Sequence, residues 1–424
     1  MVFTRIKKDV LEILYAHNIW WHDFFFKDYD YERDEVNKIL DLLKNSDDII
    51  VLQGIRGIGK TVIIKQAIKK LLNYGIEPTN ILYIPLENSL LSSLTIENII
   101  NVYQQYVCRA ETSYYFIDEL FLSKTSDFNN ISNLTNGSKV VVAQSFNNVK
   151  QVRKKNISKI NVYPLSFIEY CNILDLVCID NDKKFDNLYS LLNMQTDVCN
   201  SLCKDFKRVG CEFENYLFYG GFPYIDCNDA DFIEVKKINQ IINTIMSDDM
   251  GVVFSQKHID KLKYLYVYIC GNSADIFSNL EFLITNKGYR KKYIDYLVDN
   301  NLVYKVMSFD NNRHYKLYLT SNSIQQAVLC YCKDSITMNK QMQVETTIYH
   351  NLLKLNRSLN IKIGFYTKSQ TNHDICLIYH DDNRIFIKII GNENPVVKIF
   401  DDYGRNLTLK SGEFLYILGL LKSL

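Results

Sequence analysis

The first 170 residues contain two alternating patterns of hydrophobic positions. DDIIVLQ, NILYIPLE, SYYFIDEL and KVVVAQSF are short apolar runs with the length of buried strands. ERDEVNKILDLLKN, TVIIKQAIKKLLNYG and TIENIINVYQQYV carry apolar residues at helical spacing. Strands that alternate with helices predict a parallel sheet covered on both faces, so we expect an α/β fold here.

Beyond residue 170 the strand pattern fades. Residues 171–250 read as mainly helical, and 257–320 as helices followed by a hairpin of LVYKVMSFD and HYKLYLT. From about residue 340 a helix precedes four predicted short strands, IKIGFYT, DICLIYH, RIFIKII and EFLYILGLL. This part of the chain therefore predicts a second region of mixed α and β structure.

Composition narrows the choice of function. A chain of 424 residues exceeds the usual size of one domain. Its 49 basic and 48 acidic residues give a net charge of +1, so any nucleic-acid site must be local. Eleven cysteines without a CxxC pair favour reduced thiols over a metal site. No apolar run reaches the roughly 18 residues of a membrane span, and we expect a cytoplasmic protein that does not contact a membrane.

The segment GIRGIGKT fits the pattern G-x-x-x-x-G-K-[ST] between a predicted strand and a predicted helix. Glycines allow the positive φ angles that aim several backbone N–H groups at one polyphosphate. Lys60 is expected to reach the β- and γ-phosphates, and Thr61 to ligate Mg²⁺. The nucleotide-binding residues are predicted to be Gly54, Ile55, Arg56, Gly57, Ile58, Gly59, Lys60 and Thr61.

Two later strands end in polar residues that fit the same chemistry. YYFID ends at Asp118, which is predicted to hold Mg²⁺, and Glu119 is predicted to orient and deprotonate the attacking water. The next strand ends at Gln144 and Ser145. Ser145 is the first candidate for contact with the γ-phosphate or the water and Gln144 the second, and a plain strand-end turn remains open.

These motifs resemble prokaryotic AAA+ ATPases of the archaeal-ATPase type that carry a C-terminal domain of unknown function. The resemblance covers roughly 30–400 and rests on GIRGIGKT, YYFIDEL, VVVAQSF, VYPLSFIEY, LFYGGFPYI and SDD. It implies ATP and Mg²⁺ as cofactors, and a P-loop core followed by smaller domains. The implied segments are an N-terminal helical segment (1–45), the ATPase core (46–170), a helical lid (171–253), a winged-helix-like domain (254–333) and a nuclease-like α+β domain (340–424).

The chain departs from the family pattern in two places. Where a Gly-Arg pair usually precedes YPLSF, it has Arg153, Lys154 and Lys155, which leaves a trans-acting arginine in doubt. A nuclease-like fold of the PD-(D/E)xK type needs an acid and a lysine two positions later on its second strand. Asp374 and Glu345 fit as acids, but that strand reads Lys388-Ile389-Ile390, which predicts a catalytically dead domain.

Three hypotheses of function follow. The first is an ATP-driven switch that acts on an unidentified protein or nucleic acid, with a homo-oligomer as an open possibility. The second is an ATP-regulated DNA-binding protein that uses four cations of the winged-helix-like segment; the alternative reading of these cations is a solvated helix face. They are Lys287, Arg290, Lys291 and Lys292. The third is an active Mg²⁺-dependent nuclease.

Overall fold

The computed structural model describes most of the chain. The described residues are 2–22, 31–108, 112–123, 131, 137–145, 156–176, 192–193, 196–223, 231–245, 250, 254–277, 284–331, 339–359, 361–367, 374–378 and 383–421. The chain divides into two compact units, Met1–Val162 and Tyr163–Leu424. Among the residues just given, no helix combines the length and the apolar character that crossing a membrane requires.

The first unit is built on a five-stranded parallel sheet with the strand order β2-β3-β4-β1-β5. Its strands are β1 (Ile49–Gln53), β2 (Ile81–Pro85), β3 (Tyr114–Asp118), β4 (Lys139–Gln144) and β5 (Ile157–Asn161). Its helices are α1 (Val2–His17), α2 (Asp34–Asn45), α3 (Lys60–Asn73), α4 (Ser89–Ser92) and α5 (Ile96–Tyr106). Every residue of β1 and β2 is buried, as expected of strands covered on both faces. The predicted parallel sheet is confirmed.

The strand order brings the polar strand ends together. Asp118 at the end of β3 pairs in register with Ala143 of β4, and Gln144 of β4 pairs with Gln53 of β1. The loop that follows β1 therefore lies at the same sheet edge as Asp118 and the end of β4. Ligands of open parallel sheets bind at this carboxyl-terminal edge.

The N-terminal residues are part of the first unit. Helix α1 packs against α5 and β2, the edge strand of the sheet. Asn18, which is fully buried, accepts a hydrogen bond from the backbone N–H of Tyr83 at 2.6 Å. The Asn18 amide also donates to the Tyr83 carbonyl oxygen at 2.9 Å. One side chain thus takes the place of a neighbouring strand at this point of β2.

The second unit contains two antiparallel sheets, with the strand orders β6-β8-β7 and β13-β12-β11-β10-β9. Its strands are β6 (Ile276–Phe277), β7 (Val303–Met307), β8 (Tyr315–Leu319), β9 (Lys362–Gly364), β10 (Ile375–Ile378), β11 (Arg384–Ile390), β12 (Val396–Asp401) and β13 (Asn406–Lys410). Its helices are α6 (Phe167–Ile173), α7 (Thr196–Val209), α8 (Phe213–Tyr219), α9 (Asp231–Thr244), α10 (Gln256–Gly271), α11 (Lys287–Asp299), α12 (Asn322–Tyr331), α13 (Lys340–Leu359) and α14 (Ser411–Gly419). The hairpin predicted from the sequence is the pair β7 and β8.

One hydrophobic core links distant parts of the second unit. Phe167 of α6, Leu217 of α8, Ile348 of α13 and Leu415 of α14 belong to the same buried cluster. Segments that the sequence assigns to a lid and to a nuclease-like domain therefore share a core.

The prediction of a final strand at EFLYILGLL is wrong, because these residues form most of α14. Residues Phe414 to Leu418 are all buried. An unbroken apolar run is therefore compatible with a helix that is buried on every side as well as with a buried strand. The helix start is marked by Glu413, whose Oε2 accepts from the backbone N–H of Lys410 at 3.0 Å. The sheet gains its remaining strands from β12 and β13, which the sequence analysis did not predict.

His350 of α13 gives the second unit a pH-dependent stability. The imidazole is buried with Nε2 against the Leu319 carbonyl oxygen, and burial lowers its pKa from 6.5 to about 4. Between these pH values the unfolded chain binds a proton that the folded chain does not, so stability falls as pH decreases. We expect a loss of about 2 kcal/mol from pH 7 to pH 5. The free energy of unfolding, measured with urea, should depend less steeply on pH in His350→Gln than in the parent chain.

The exposed His22 provides the control for this prediction, since His22→Gln should leave the pH dependence unchanged. Equal slopes for the parent and His350→Gln would show that the His350 imidazole is not held neutral in the folded chain.

Candidate functional site

The loop between β1 and α3 has the backbone that a phosphate-binding loop requires. Gly57 and Gly59 adopt left-handed conformations, with φ angles of 82° and 101°. A Cβ atom at Gly54 would lie 2.8 Å from the Val162 carbonyl oxygen, so only glycine fits there. Helix α3 begins at Lys60, directly after the loop, and its N-terminus carries the positive end of the helix dipole.

Three side chains of the loop have separate environments. Ile55 and Ile58 are buried and anchor the loop to the unit. Arg56 extends to Glu87, where its Nη1 donates to Oε1 at 2.9 Å. Apolar packing of Ile55 and Ile58 therefore holds the loop in place. The Glu87 side chain that pairs with Arg56 is 62% exposed.

Lys60 is buried and points back into the site. Its Nζ donates to the carbonyl oxygens of Gly54 at 3.0 Å and Ile55 at 3.3 Å, and to Ser145 Oγ at 2.8 Å. The same Nζ lies 3.3 Å from Glu119 Oε1. The ammonium group thus connects the loop to the ends of β3 and β4.

The two carboxylate oxygens of Asp118 differ in their hydrogen bonds, since one accepts two and the other accepts none in the described part of the chain. Oδ2 accepts from Thr61 Oγ1 at 2.7 Å and from the Tyr83 hydroxyl at 2.8 Å. Oδ1 is buried and has no hydrogen-bond partner in the described part of the chain. Burial and the neighbouring Glu119 carboxylate raise the pKa of Asp118 to about 6. An open, buried carboxylate oxygen beside Thr61 is a site for a hard cation.

Glu119 is held by Ser145. Its backbone adopts the left-handed region, with a φ of 56°. Oε2 accepts from the Ser145 backbone N–H at 2.9 Å, and Oε1 accepts from Ser145 Oγ at 2.6 Å. Ser145 was expected from the sequence to contact the γ-phosphate or the water, and in the structure it donates two hydrogen bonds to Glu119. Gln144, the second candidate, is buried with an Nε2 that has no partner within the described ranges.

Tyr83 and Glu87 contact the site but were not predicted from the sequence. Tyr83 was read only as an apolar strand residue, because a tyrosine inside NILYIPLE fits a buried strand. Its position two residues before the end of β2, on the strand beside Asp118, was the available signal. Arg153, Lys154 and Lys155, the candidates for a trans-acting cation, lie outside the described residues.

The four cations of α11 do not share one environment. Lys287 and Lys291 are exposed. Lys292 Nζ lies 5.1 Å from the centroid of the Phe254 ring. Burial raises the pKa of Tyr315, and the positive charge of Arg290 opposes this rise. Exposed Tyr289 stands on the same helix turn as the lysines.

A cavity of about 510 Å³ in the second unit is lined by Glu345, Asp374 and Lys388. Lys316 Nζ donates to Glu345 Oε1 at 2.7 Å and to the Asp374 carbonyl oxygen at 3.1 Å. Asp374 Oδ2 accepts from the Ile389 backbone N–H at 2.6 Å. An ammonium group already balances Glu345, and Lys388 adds a second positive charge where the family pattern has an acid. This arrangement disfavours a divalent cation.

Among the residues that the structure describes, no group of three or more aspartate, glutamate, histidine or cysteine side chains could hold a metal ion. This finding does not bear on the P-loop site, where Mg²⁺ would take ligands from Thr61, one carboxylate and the nucleotide.

Comparison with known proteins supports this reading of the first unit. Residues 46–171 match the AAA domain family, and residues 211–331 match a domain of unknown function. An uncharacterized protein of Methanocaldococcus jannaschii is 24% identical over 308 residues, which cover 66% of this chain and 61% of that protein. The chain thus spans about three fifths of that relative's length. An uncharacterized protein of Haemophilus influenzae is 24% identical over 299 residues, covering 66% of this chain and 67% of its own.

Among solved structures, the chain is similar to a Walker-type ATPase of Pyrococcus abyssi, with 11% identity and a TM-score of 0.43 over 73% of this chain and 99% of that one. The match to the AAA family covers the loop, Asp118, Glu119 and Ser145, which meet at one sheet edge. Residues 46–171 therefore match the AAA domain family, and the resemblance to AAA+ ATPases is confirmed for this part of the chain.

Proposed function

We propose that this chain binds ATP together with Mg²⁺ and hydrolyses it at the edge formed by the P-loop, Asp118 and Glu119. The observation that carries the proposal is the buried Asp118 carboxylate, hydrogen-bonded to Thr61 on one oxygen and open on the other. In the P-loop arrangement these two side chains would hold the Mg²⁺ ion that accompanies the nucleotide.

The loop fits a triphosphate. Gly57 and Gly59 adopt the left-handed conformation that phosphate-binding loops use, and a Cβ at Gly54 would collide with the Val162 carbonyl oxygen. Lys60 bonds to loop carbonyl groups that a phosphate oxygen would replace as its acceptors. Mg²⁺, when bound, supplies charge neutralisation on the phosphates. The chain's own part is to hold Thr61 and Asp118 against it.

Glu119 is the proposed general base, and Ser145 its positioning residue. Two hydrogen bonds from Ser145 fix both carboxylate oxygens, and the Lys60 ammonium lies 3.3 Å away. These contacts hold the carboxylate in one orientation, in which it can take a proton from a water molecule beside the phosphates.

Equilibrium binding and phosphate release test this function together. The parent chain should bind a fluorescent ATP analogue with an affinity that increases with Mg²⁺, and it should release phosphate from ATP. A chain that binds no nucleotide with or without Mg²⁺ would remove the proposal, and binding without turnover would restrict it to nucleotide binding.

Hydrolysis is further proposed to drive a conformational switch that acts on a protein or nucleic-acid partner. ATPases of this kind couple turnover to changes in other segments of the same chain. A chain trapped with ATP by the Glu119→Gln change and purified from native cells should retain a partner that the parent chain releases.

DNA binding by α11 is a second candidate, supported by exposed Lys287 and Lys291 beside the exposed Tyr289 ring. The double change Arg290→Glu and Lys291→Glu should weaken DNA binding roughly tenfold or more and make it less dependent on salt, because phosphate contacts release counterions. Binding is measured by fluorescence anisotropy of a labelled duplex at several salt concentrations.

Lys8→Glu combined with Lys44→Glu is the matched control, since both lysines are exposed and the change in net charge is the same. Equal losses in the two double variants would assign the effect to overall charge rather than to α11.

A further inference from the structure

We propose that Tyr83 is a positioning residue for the metal-binding carboxylate, which it holds by one oxygen so that the other faces the cation. This inference rests on the proposed function, because it assumes that Asp118 ligates Mg²⁺. It adds a residue of β2 to a site otherwise built from the P-loop, β3 and β4.

The hydrogen bonds at Asp118 are unevenly divided. Thr61 Oγ1 and the Tyr83 hydroxyl both donate to Oδ2, at 2.7 and 2.8 Å. Oδ1 is buried without a partner in the described part of the chain. Two donors on one oxygen fix the plane of the carboxylate, and they leave Oδ1 in a single orientation.

The two donors differ in their relation to the cation. Thr61 is expected to bind Mg²⁺ through its hydroxyl oxygen while the same hydroxyl donates to Asp118, so the position of this donor depends on the metal. The terminal torsion of an aspartate is broad and roughly two-fold, so a carboxylate without a second restraint would rotate. Tyr83 supplies that restraint from outside the phosphate loop.

Tyr83 is itself held firmly. Its ring is 3% exposed, and its backbone exchanges two hydrogen bonds with the Asn18 side chain. Register places Tyr83 opposite Phe116, two residues before Asp118, so both side chains lie on the same face of the sheet.

Tyr83→Phe removes the hydroxyl and keeps the ring. The Mg²⁺ concentration at half-maximal binding of a non-hydrolysable fluorescent ATP analogue should rise about tenfold, as expected for the loss of a hydrogen bond to a charged group. Binding of the same analogue in EDTA should stay within about twofold of the parent. A merely structural role would move both values.

Tyr103→Phe is the matched control. Tyr103 is fully buried in the same unit and its hydroxyl donates to the Thr79 carbonyl oxygen, away from Asp118. Its metal requirement should equal that of the parent. Thermal melts of both variants establish that the chains are folded before binding is compared.

A double-mutant cycle with Asp118→Asn separates the possible outcomes. In the Asp118→Asn background, Tyr83→Phe should cause no further change in the metal requirement, because the carboxylate that it positions is gone. An unchanged metal requirement for Tyr83→Phe, or an equal effect in both backgrounds, overturns the inference. A parent chain that binds no nucleotide overturns the proposed function instead.

Discussion

Glu119→Gln is expected to bind ATP as tightly as the parent chain and to lower phosphate release by at least about a hundredfold, the usual contribution of a general base. Glutamine keeps the size, and its single amide oxygen can still accept one of the two hydrogen bonds that Ser145 donates to the carboxylate oxygens. It cannot take a proton from water. Single-turnover hydrolysis of bound ATP measures the chemical step apart from product release.

Glu97→Gln, at an exposed position in the first turn of α5, is the control for a lost negative charge. Turnover by Glu119→Gln at the parental rate would assign the base to another residue. A parallel loss of ATP affinity would instead assign Glu119 to binding.

Lys60→Ala is expected to weaken ATP binding roughly tenfold to a hundredfold, because a hydrogen bond from an ammonium group to a charged acceptor contributes about 1.5–3 kcal/mol. The change also removes the ammonium group that lies 3.3 Å from the buried Glu119 carboxylate. Equilibrium binding of a fluorescent ATP analogue measures the effect, and a thermal melt reports any loss of folded chain.

Lys69→Ala removes the same group from the same helix and should bind ATP like the parent. If Lys60→Ala also keeps parental affinity, the loop between β1 and α3 does not bind the phosphates in the way proposed here.

The site was predictable where function depends on spacing along the chain. The glycines and Lys60 of the loop fall within eight residues, and Asp118 and Glu119 follow an apolar strand. Local sequence therefore located them at one edge of a parallel sheet. Tyr83 was not predictable in this way, because its role depends on which strand lies beside β3.

The hydrogen bonds of Ser145 were also beyond the sequence. Its place at the end of β4 was predicted, but whether the hydroxyl meets a phosphate or Glu119 is decided by distances of a few ångströms. In the second unit, α14 was mistaken for a strand. A helix that is buried on all sides has no polar face, so its sequence lacks the 3.6-residue spacing of apolar positions that identifies a helix.

The two hydrogen bonds between the Asn18 side chain and the Tyr83 backbone have a practical consequence for shortened versions of this protein. A chain that begins at residue 31 would keep the whole phosphate loop and every acidic residue of the site. It would also expose the outer edge of β2, where unpaired backbone groups invite association with other chains. Loss of activity or precipitation in such a fragment would reflect the missing helix α1 and Asn18 amide and not a defect in its catalytic residues.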